Sequence, residues 1–193
     1  MLYFLVILLA IILGILIGTI KGKKFDISCI GIEKMWLVLL AFGIQTITRI
    51  FSMKGLSFLV KYSWITQGVV FVLLFIALWY NRKHFGLWII ALGASLNALV
   101  MMVNGGRMPV SIEKLENVNM PEFIELLKSG ADNKHVVMSE LTKLNFLADI
   151  FYLPGFLGKG AYVFSVGDYV VAVGLFIFVF GMINGSYKET CEM

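Results

Sequence analysis

This sequence predicts an all-α membrane protein of about five transmembrane helices, with a helical extracytoplasmic cap between the fourth and the fifth. Three observations predict it. The 193-residue chain is 60% hydrophobic, with a mean hydropathy of +0.90. Only 15% of its residues are charged, where a soluble domain carries roughly 25%. Five segments have the roughly 20 mostly apolar residues that a helix needs to cross a bilayer.

The first segment is "MLYFLVILLAIILGILIGTI", residues 1–20. It lacks a basic stretch ahead of it and a small-residue cleavage signature, so it reads as a span and not as a signal peptide. Its basic flank, "KGKKF", follows it. The second segment is 35–51, the third 58–80, the fourth 85–103 and the fifth 163–183. Cytoplasmic loops are enriched in Lys and Arg. Lys21, Lys23, Lys24, Lys34, Arg82, Lys83 and Lys188 fall on one side, against Arg49, Lys54 and Lys61 on the other. The expectation is a single multi-pass domain, 1–193, in the cell membrane, with the N-terminus outside and the C-terminus cytoplasmic. Segment 104–162 is then the outer cap.

Within the cap, "NMPEFIELLKSG" reads as a short amphipathic helix. Asn119 suits the cap, Pro121 the first turn, Glu122 and Glu125 the positive dipole end and Gly130 the stop. "HVVMSELTKLNFLADIF" is expected to be a second helix. "LPGFLGKG" then turns the chain towards the fifth span.

Gly160, Gly167, Gly174 and Gly181 recur every seven residues, and Gly14 and Gly18 form a GxxxG. Small residues let membrane helices approach closely. Tight packing within the chain is the expected use. A homodimer through the Gly167, Gly174 and Gly181 face is the alternative. Cys29 and Cys191 lie far apart near cytoplasmic segments, which predicts neither a disulfide nor a metal site. P-loop, nucleophile-elbow and zinc motifs are missing, so no cofactor or metal is expected. Nucleic-acid signatures are missing too; membrane lipids are the expected partners. His135 has no partner at ligand spacing and reads as a surface residue.

Polar groups at membrane depth are costly and need a partner or a function. Gln45 and Arg49 share one face of the second helix, being four residues apart. Gln67 lies on the third. Asn97 and Asn104 share a face of the fourth. Asp168 stands at the mouth of the fifth, with Ser165 three residues before it. Each has a structural use: Arg49 reaching to headgroups, Gln67 and Asn97 making interhelical hydrogen bonds, Asp168 complementing a helix N-terminus. Together, Arg49, Asn104, Arg107, Asp149 and Asp168 are expected to converge in one polar cluster under the cap. "NGGRMPVS" supplies a fixed turn that presents Arg107 to an anion or a carboxylate.

The order of "NGGRMPVS", "LADIFYLP" and "FSVGDYVVAVG" resembles a family of small bacterial membrane proteins catalogued as a domain of unknown function. That resemblance covers nearly the whole chain and implies a five-helix membrane domain. Locally, "FSVGDYVVAVG" is similar to the last motif of lipoprotein signal peptidase, an aspartyl peptidase. That similarity implies Asp149 and Asp168 as a catalytic pair and Asn104 as a site residue. Ser165, Gly167 and Tyr169 depart from the motif, and the peptidase's Gly-Asn-x-x-Asp-Arg motif is absent.

Three functions follow from these residues. In an intramembrane aspartyl hydrolase or peptidase, Asp149 and Asp168 share one proton and activate water. In a protein that binds or transports a small solute or lipid headgroup, the ligand contacts are Asn104, Arg107, Arg49, Asn97 and Gln45. In a structural or assembly subunit of a membrane complex, the cluster only fixes the bundle.

Overall fold

The computed structural model describes residues 2–22, 31–152 and 163–184. The "LPGFLGKG" turn, Gly160, Lys23, Lys24, Lys188 and both cysteines lie outside the described residues. Helix α1 is Leu2–Ile20 and α2 is Met35–Met53. The short α3, Ser57–Lys61, leads into α4, Ser63–Tyr80, and α5 is Phe85–Val103. In the cap come strand β1, Met108–Val110, helices α6, Ile112–Asn117, and α7, Pro121–Ser129, and strand β2, His135–Val137. Helix α8 is Val166–Ile183.

Five of these helices, α1, α2, α4, α5 and α8, are long and apolar enough to cross a membrane. Their outward faces carry large apolar side chains such as Phe4, Leu39, Val72, Trp88 and Leu99, each between 50% and 67% exposed. Exposure of that kind suits lipid as the solvent. The chain is therefore an all-α multi-pass membrane protein. Helix α8 packs on α5 and α1, while α4 packs on α2 and α5.

The tightest seam is α5 against α8. A methyl group at Gly93 would strike the backbone of Gly167 and Val171, and one at Gly86 would strike Gly174 and Phe178. Gly167 and Gly174 are closed in the same way by Gly93 and Gly86. Two heptad pairs of glycines therefore interlock antiparallel, and the backbones themselves make the contact. Helix α1 runs parallel to α8. Tyr3 meets Asp168 at one end, and Gly14 meets Ile183 at the other. The N-terminus of α1 consequently lies on the same face as the cap. On the far face, the amide of Asn81 exchanges hydrogen bonds with the backbone of Glu33.

Four expectations are corrected. The third span does not run unbroken from 58: the chain bends at Tyr62 between α3 and α4. There the Ser63 hydroxyl donates to the carbonyl of Val60, and the turn at Gly106, φ 83°, packs directly on the Ser63–Trp64 backbone. Asn119 does not cap α7. It sits in the left-handed region at φ 53°, closing α6, and Met120 precedes the helix. Pro121 and the left-handed Gly130 do bound α7.

The expected second cap helix is absent. Its first residues form β2, which pairs parallel with β1, Met108 opposite His135 and Val110 opposite Val137. The β-branched run Val136–Val137 fits that pleated surface. A single 3-10 turn at Asn145–Leu147 follows, and Asp149 then bridges to Val110 on the other side of β1. His135 is not a surface residue either, since its side chain is 12% exposed.

The cap has its own core of Val110, Leu115, Leu127 and Val163, with Phe123, Ile124 and Val137 around it. Val100 and Met101 of α5 pack with Met108 and Ala148, joining cap to bundle.

The interlocked glycines predict a sharp contrast. Gly93→Ala should lower the thermal midpoint in detergent, because overpacking here costs about 1–3 kcal/mol. Gly43→Ala, facing open space on α2, should raise it or leave it unchanged, by up to about 1 kcal/mol. Equal behaviour of the two variants would refute the seam.

Candidate functional site

Asp168 is placed by the start of α8. Ser165 is the N-cap: its hydroxyl accepts from the Asp168 N–H at 3.0 Å, and the Asp168 carboxylate accepts from the Ser165 N–H at 3.0 Å. This reciprocal box satisfies two backbone donors that a helix start leaves unpaired. Asn97 of α5 fills the space left by the absent side chain of Gly167. Its amide donates to Asp168 Oδ1 at 3.0 Å and its carbonyl accepts from the Ser165 hydroxyl at 2.8 Å. The Tyr3 hydroxyl of α1 donates to the same Oδ1 at 2.6 Å. Asp168 thus ties α1, α5 and α8 together at their cap-face ends.

Asp149 comes to this region on the strand-like segment beside β1. Its N–H donates to the Pro109 carbonyl at 3.1 Å, and its own carbonyl accepts from the Ser111 N–H at 3.2 Å. Two residues on, Phe151 pairs antiparallel with Phe164 through hydrogen bonds of 3.1 and 2.8 Å. That pairing folds the approach to α8 back along the Asp149 segment. Asp149 is 6% exposed. Its carboxyl makes no hydrogen bond among the described residues. Burial pushes it well above the usual carboxylate range, and the charge of Asp168 adds to the push, while Lys134 opposes it. Its neutral form is favoured more than that of an exposed carboxyl.

The other candidates go elsewhere. Arg49 reaches from α2 into the cap and donates to Asp132 Oδ2 at 2.9 Å. His135 Nδ1 meets the same oxygen at 2.9 Å, and the Lys134 N–H donates to Oδ1 at 3.0 Å. The Phe123 ring lies 5.8 Å from the Arg49 guanidinium and edge-on to His135 at 5.3 Å. Burial alone would raise Asp132, but the His135 hydrogen bond and the Arg49 charge outweigh it and hold it at about 2. Burial lowers His135 to about 4, despite its bond to Asp132. A neutral His135 donates from Nδ1, leaving Nε2 as its acceptor.

Asn104 is a clamp. Its amide donates to the Val100 and Lys143 carbonyls at 2.8 Å each, and its oxygen accepts from the Lys143 N–H at 2.8 Å. Gln45 donates to Gln67 at 3.0 Å, between α2 and α4. Arg107 is half-buried, and its Nε meets no acceptor among the described residues. So Asp149, Asp168 and Asn97 are drawn to one region, while Arg49, Asn104 and Gln45 serve separate contacts.

Tyr3 and Asp132 are the residues that sequence reasoning missed. Tyr3 is an aromatic hydroxyl at the cap-face end of an apolar helix, which is a usable signal. Asp132 follows the helix-ending Gly130 and looks like ordinary loop.

The Asp132–His135 pair makes stability depend on pH. His135 takes up a proton less readily when folded, so the unfolded chain binds more protons between about 6.5 and about 4. Folding stability should fall as pH drops through that window. Asp132 adds a further loss below about 4, as pH falls towards about 2. His135→Phe should flatten the 6.5-to-4 slope in thermal melts. An unchanged slope would contradict the buried pairing.

Comparison with known proteins adds an identity at family level only. An uncharacterised protein of Thermotoga maritima is 33% identical over 175 residues, covering 90% of this chain and 87% of that protein. No solved structure matches the chain. Residues 29–180 match a family of unknown function, DUF5317, and the chain belongs to that family.

Proposed function

We propose that this protein binds a small solute or lipid headgroup at its cap face, with Asp149 as the principal contact and Asp168 behind it. One observation carries this reading. Asp149 is 6% exposed, and its carboxyl has no hydrogen-bond partner among the described residues. So little exposure leaves the carboxyl poorly hydrated, which is unfavourable for a polar group. A ligand that supplies the missing partner relieves it. Asn97, first expected at the ligand, instead holds Asp168 in place.

The aspartyl hydrolase is the second reading, favoured by the Phe151–Phe164 pairing that folds the two acid-bearing segments together. Against it stands the occupancy of Asp168. Both of its oxygens already accept from Tyr3, Asn97 or Ser165. A shared-proton dyad needs both carboxyls free to bridge one water.

The cap lies outside the cell in this reading, and both the N-terminus of α1 and the start of α8 lie with it. The supporting asymmetry is the basic far-face flanks, Lys21, Lys34, Arg82 and Lys83. Leu141, 91% exposed in the cap, gives a test once Cys29 and Cys191 are replaced by serine. Leu141→Cys should react with a membrane-impermeant maleimide in intact cells. Reaction only after permeabilisation would invert the orientation.

The binding reading predicts an uncommon mutational sign. Folding favours protonated Asp149, so its contribution is lost as pH rises above the ordinary carboxylate range, about 4. Asp149→Asn should therefore raise the thermal midpoint at pH 7.5. In native mass spectrometry, the same variant should lose a small molecule or lipid that the wild type carries out of the membrane. A lowered midpoint together with an unchanged adduct pattern would leave Asp149 a structural residue.

A further inference from the structure

We infer that the occupant of the Asp149 site is an ammonium group, of a lipid headgroup or of a free amine. The inference rests on the binding reading above and names its ligand class.

Charge points to a cation. Asp149 feels the like charge of Asp168, and no Lys or Arg hydrogen-bonds to either acid among the described residues. An anion brought here meets two carboxyl groups. A neutral donor can pair with Asp149 but brings no charge that lets it ionise beside Asp168. An ammonium does both: it donates to the Asp149 carboxylate and offsets the repulsion that ionisation beside Asp168 creates.

The rings point the same way. Phe151, Phe164 and Tyr169 form a connected aromatic group, with centroids 4.7 Å apart for Phe164–Tyr169 and 5.4 Å for Phe151–Tyr169. Phe151 lies two residues after Asp149, and Tyr169 directly follows Asp168. Phe151 and Tyr169 are 37% and 41% exposed. The aromatic group is therefore open to the surface where the cap meets the helix ends. Aromatic faces attract cations, and carboxylates with aromatic neighbours suit alkylammonium ions. A hard metal ion is a poor match. Calcium takes six to eight oxygens, and no group of three acid, histidine or cysteine residues gathers among the described residues.

Binding to the protonated acid moves one proton. The ammonium stays protonated, the Asp149 O–H bond breaks, and its proton leaves to the buffer as the carboxylate pairs with the cation. The groups facing Asp149 that bias this step are Asp168 on α8, whose charge disfavours ionisation, and Lys134 before β2, which favours it. Tyr3 on α1 hydrogen-bonds Asp168. Affinity should rise with pH until Asp149 is ionised without ligand.

Two arms separate the sources. Protein in phosphatidylglycerol nanodiscs, which contain no ammonium, is titrated calorimetrically with ethylammonium in two buffers of different protonation enthalpy. In parallel, protein exchanged into discs of equal phosphatidylethanolamine and phosphatidylglycerol is examined by native mass spectrometry. The expected result is selection in one arm. It is either saturable ethylammonium binding with release of up to about one proton, or retention of phosphatidylethanolamine over phosphatidylglycerol. Asp149→Asn should weaken it at least about tenfold, as loss of a charge-assisted partner does. Phe151→Leu and Tyr169→Leu, which keep both acids, should each weaken it about three- to tenfold. No selection in either arm, or full selection in Asp149→Asn, overturns the inference. An Asp149-dependent adduct that lacks an ammonium group overturns it and leaves the binding reading standing. The absence of any Asp149-dependent adduct sinks both.

Discussion

The close approach of α5 and α8 is the constraint from which the cap-face site follows. Where glycine meets glycine, two helix backbones touch with no side chain between them. Lipid supplies no hydrophobic drive for such a contact, so dispersion and exact fit of small residues must hold it. One glycine does a second job. The space at Gly167 admits the Asn97 amide, and that amide holds both the Ser165 hydroxyl and the Asp168 carboxylate. A side chain at that one position would displace the asparagine and loosen the start of α8.

The cap is fastened to the bundle by three kinds of bond. Asn104 uses short neutral hydrogen bonds at the end of α5. Arg49 uses a charged one, from near the C-terminal end of α2 to the buried Asp132. Val100 and Met101 use apolar contact with Met108 and Ala148. Asn104 and Arg49 both find partners inside the protein, although Arg49 Nε itself makes no hydrogen bond among the described residues. Asp149 differs in kind: it is delivered by backbone pairing to β1, while its side chain is left without a partner.

The membrane architecture was legible because apolar length is read directly against bilayer thickness. All five spans lie within a few residues of the segments read from sequence. The cap was less legible. Pro121 and Gly130 announce α7 by local chemistry alone, whereas His135–Val137 forms a strand only because Met108–Val110 lies beside it, 27 residues earlier in the Met108–His135 pair. No window of sequence contains that information. The same holds for the site. Asp168 and Ser165 were readable as a local capping pair. Tyr3 reaches Asp168 across 165 residues, and Asp132 takes its meaning from Arg49, 83 residues away. Arg49 itself looked like a headgroup anchor because its partner is invisible until the cap folds.

Helix α1 packs chiefly on α8, and this has a consequence for how the protein is made. A ribosome delivers α1 to the membrane before α2, α4, α5 and α8. During synthesis, at about 5–20 residues per second, the first helix drifts in lipid with its best-fitting neighbour still unmade. Tyr3 has no carboxylate to meet until residue 168 has left the ribosome. Closure of the site therefore waits until the chain has been made through residue 168. A product that stops after α5 has its glycine face bare and its first helix loose, features that membrane quality control can recognise.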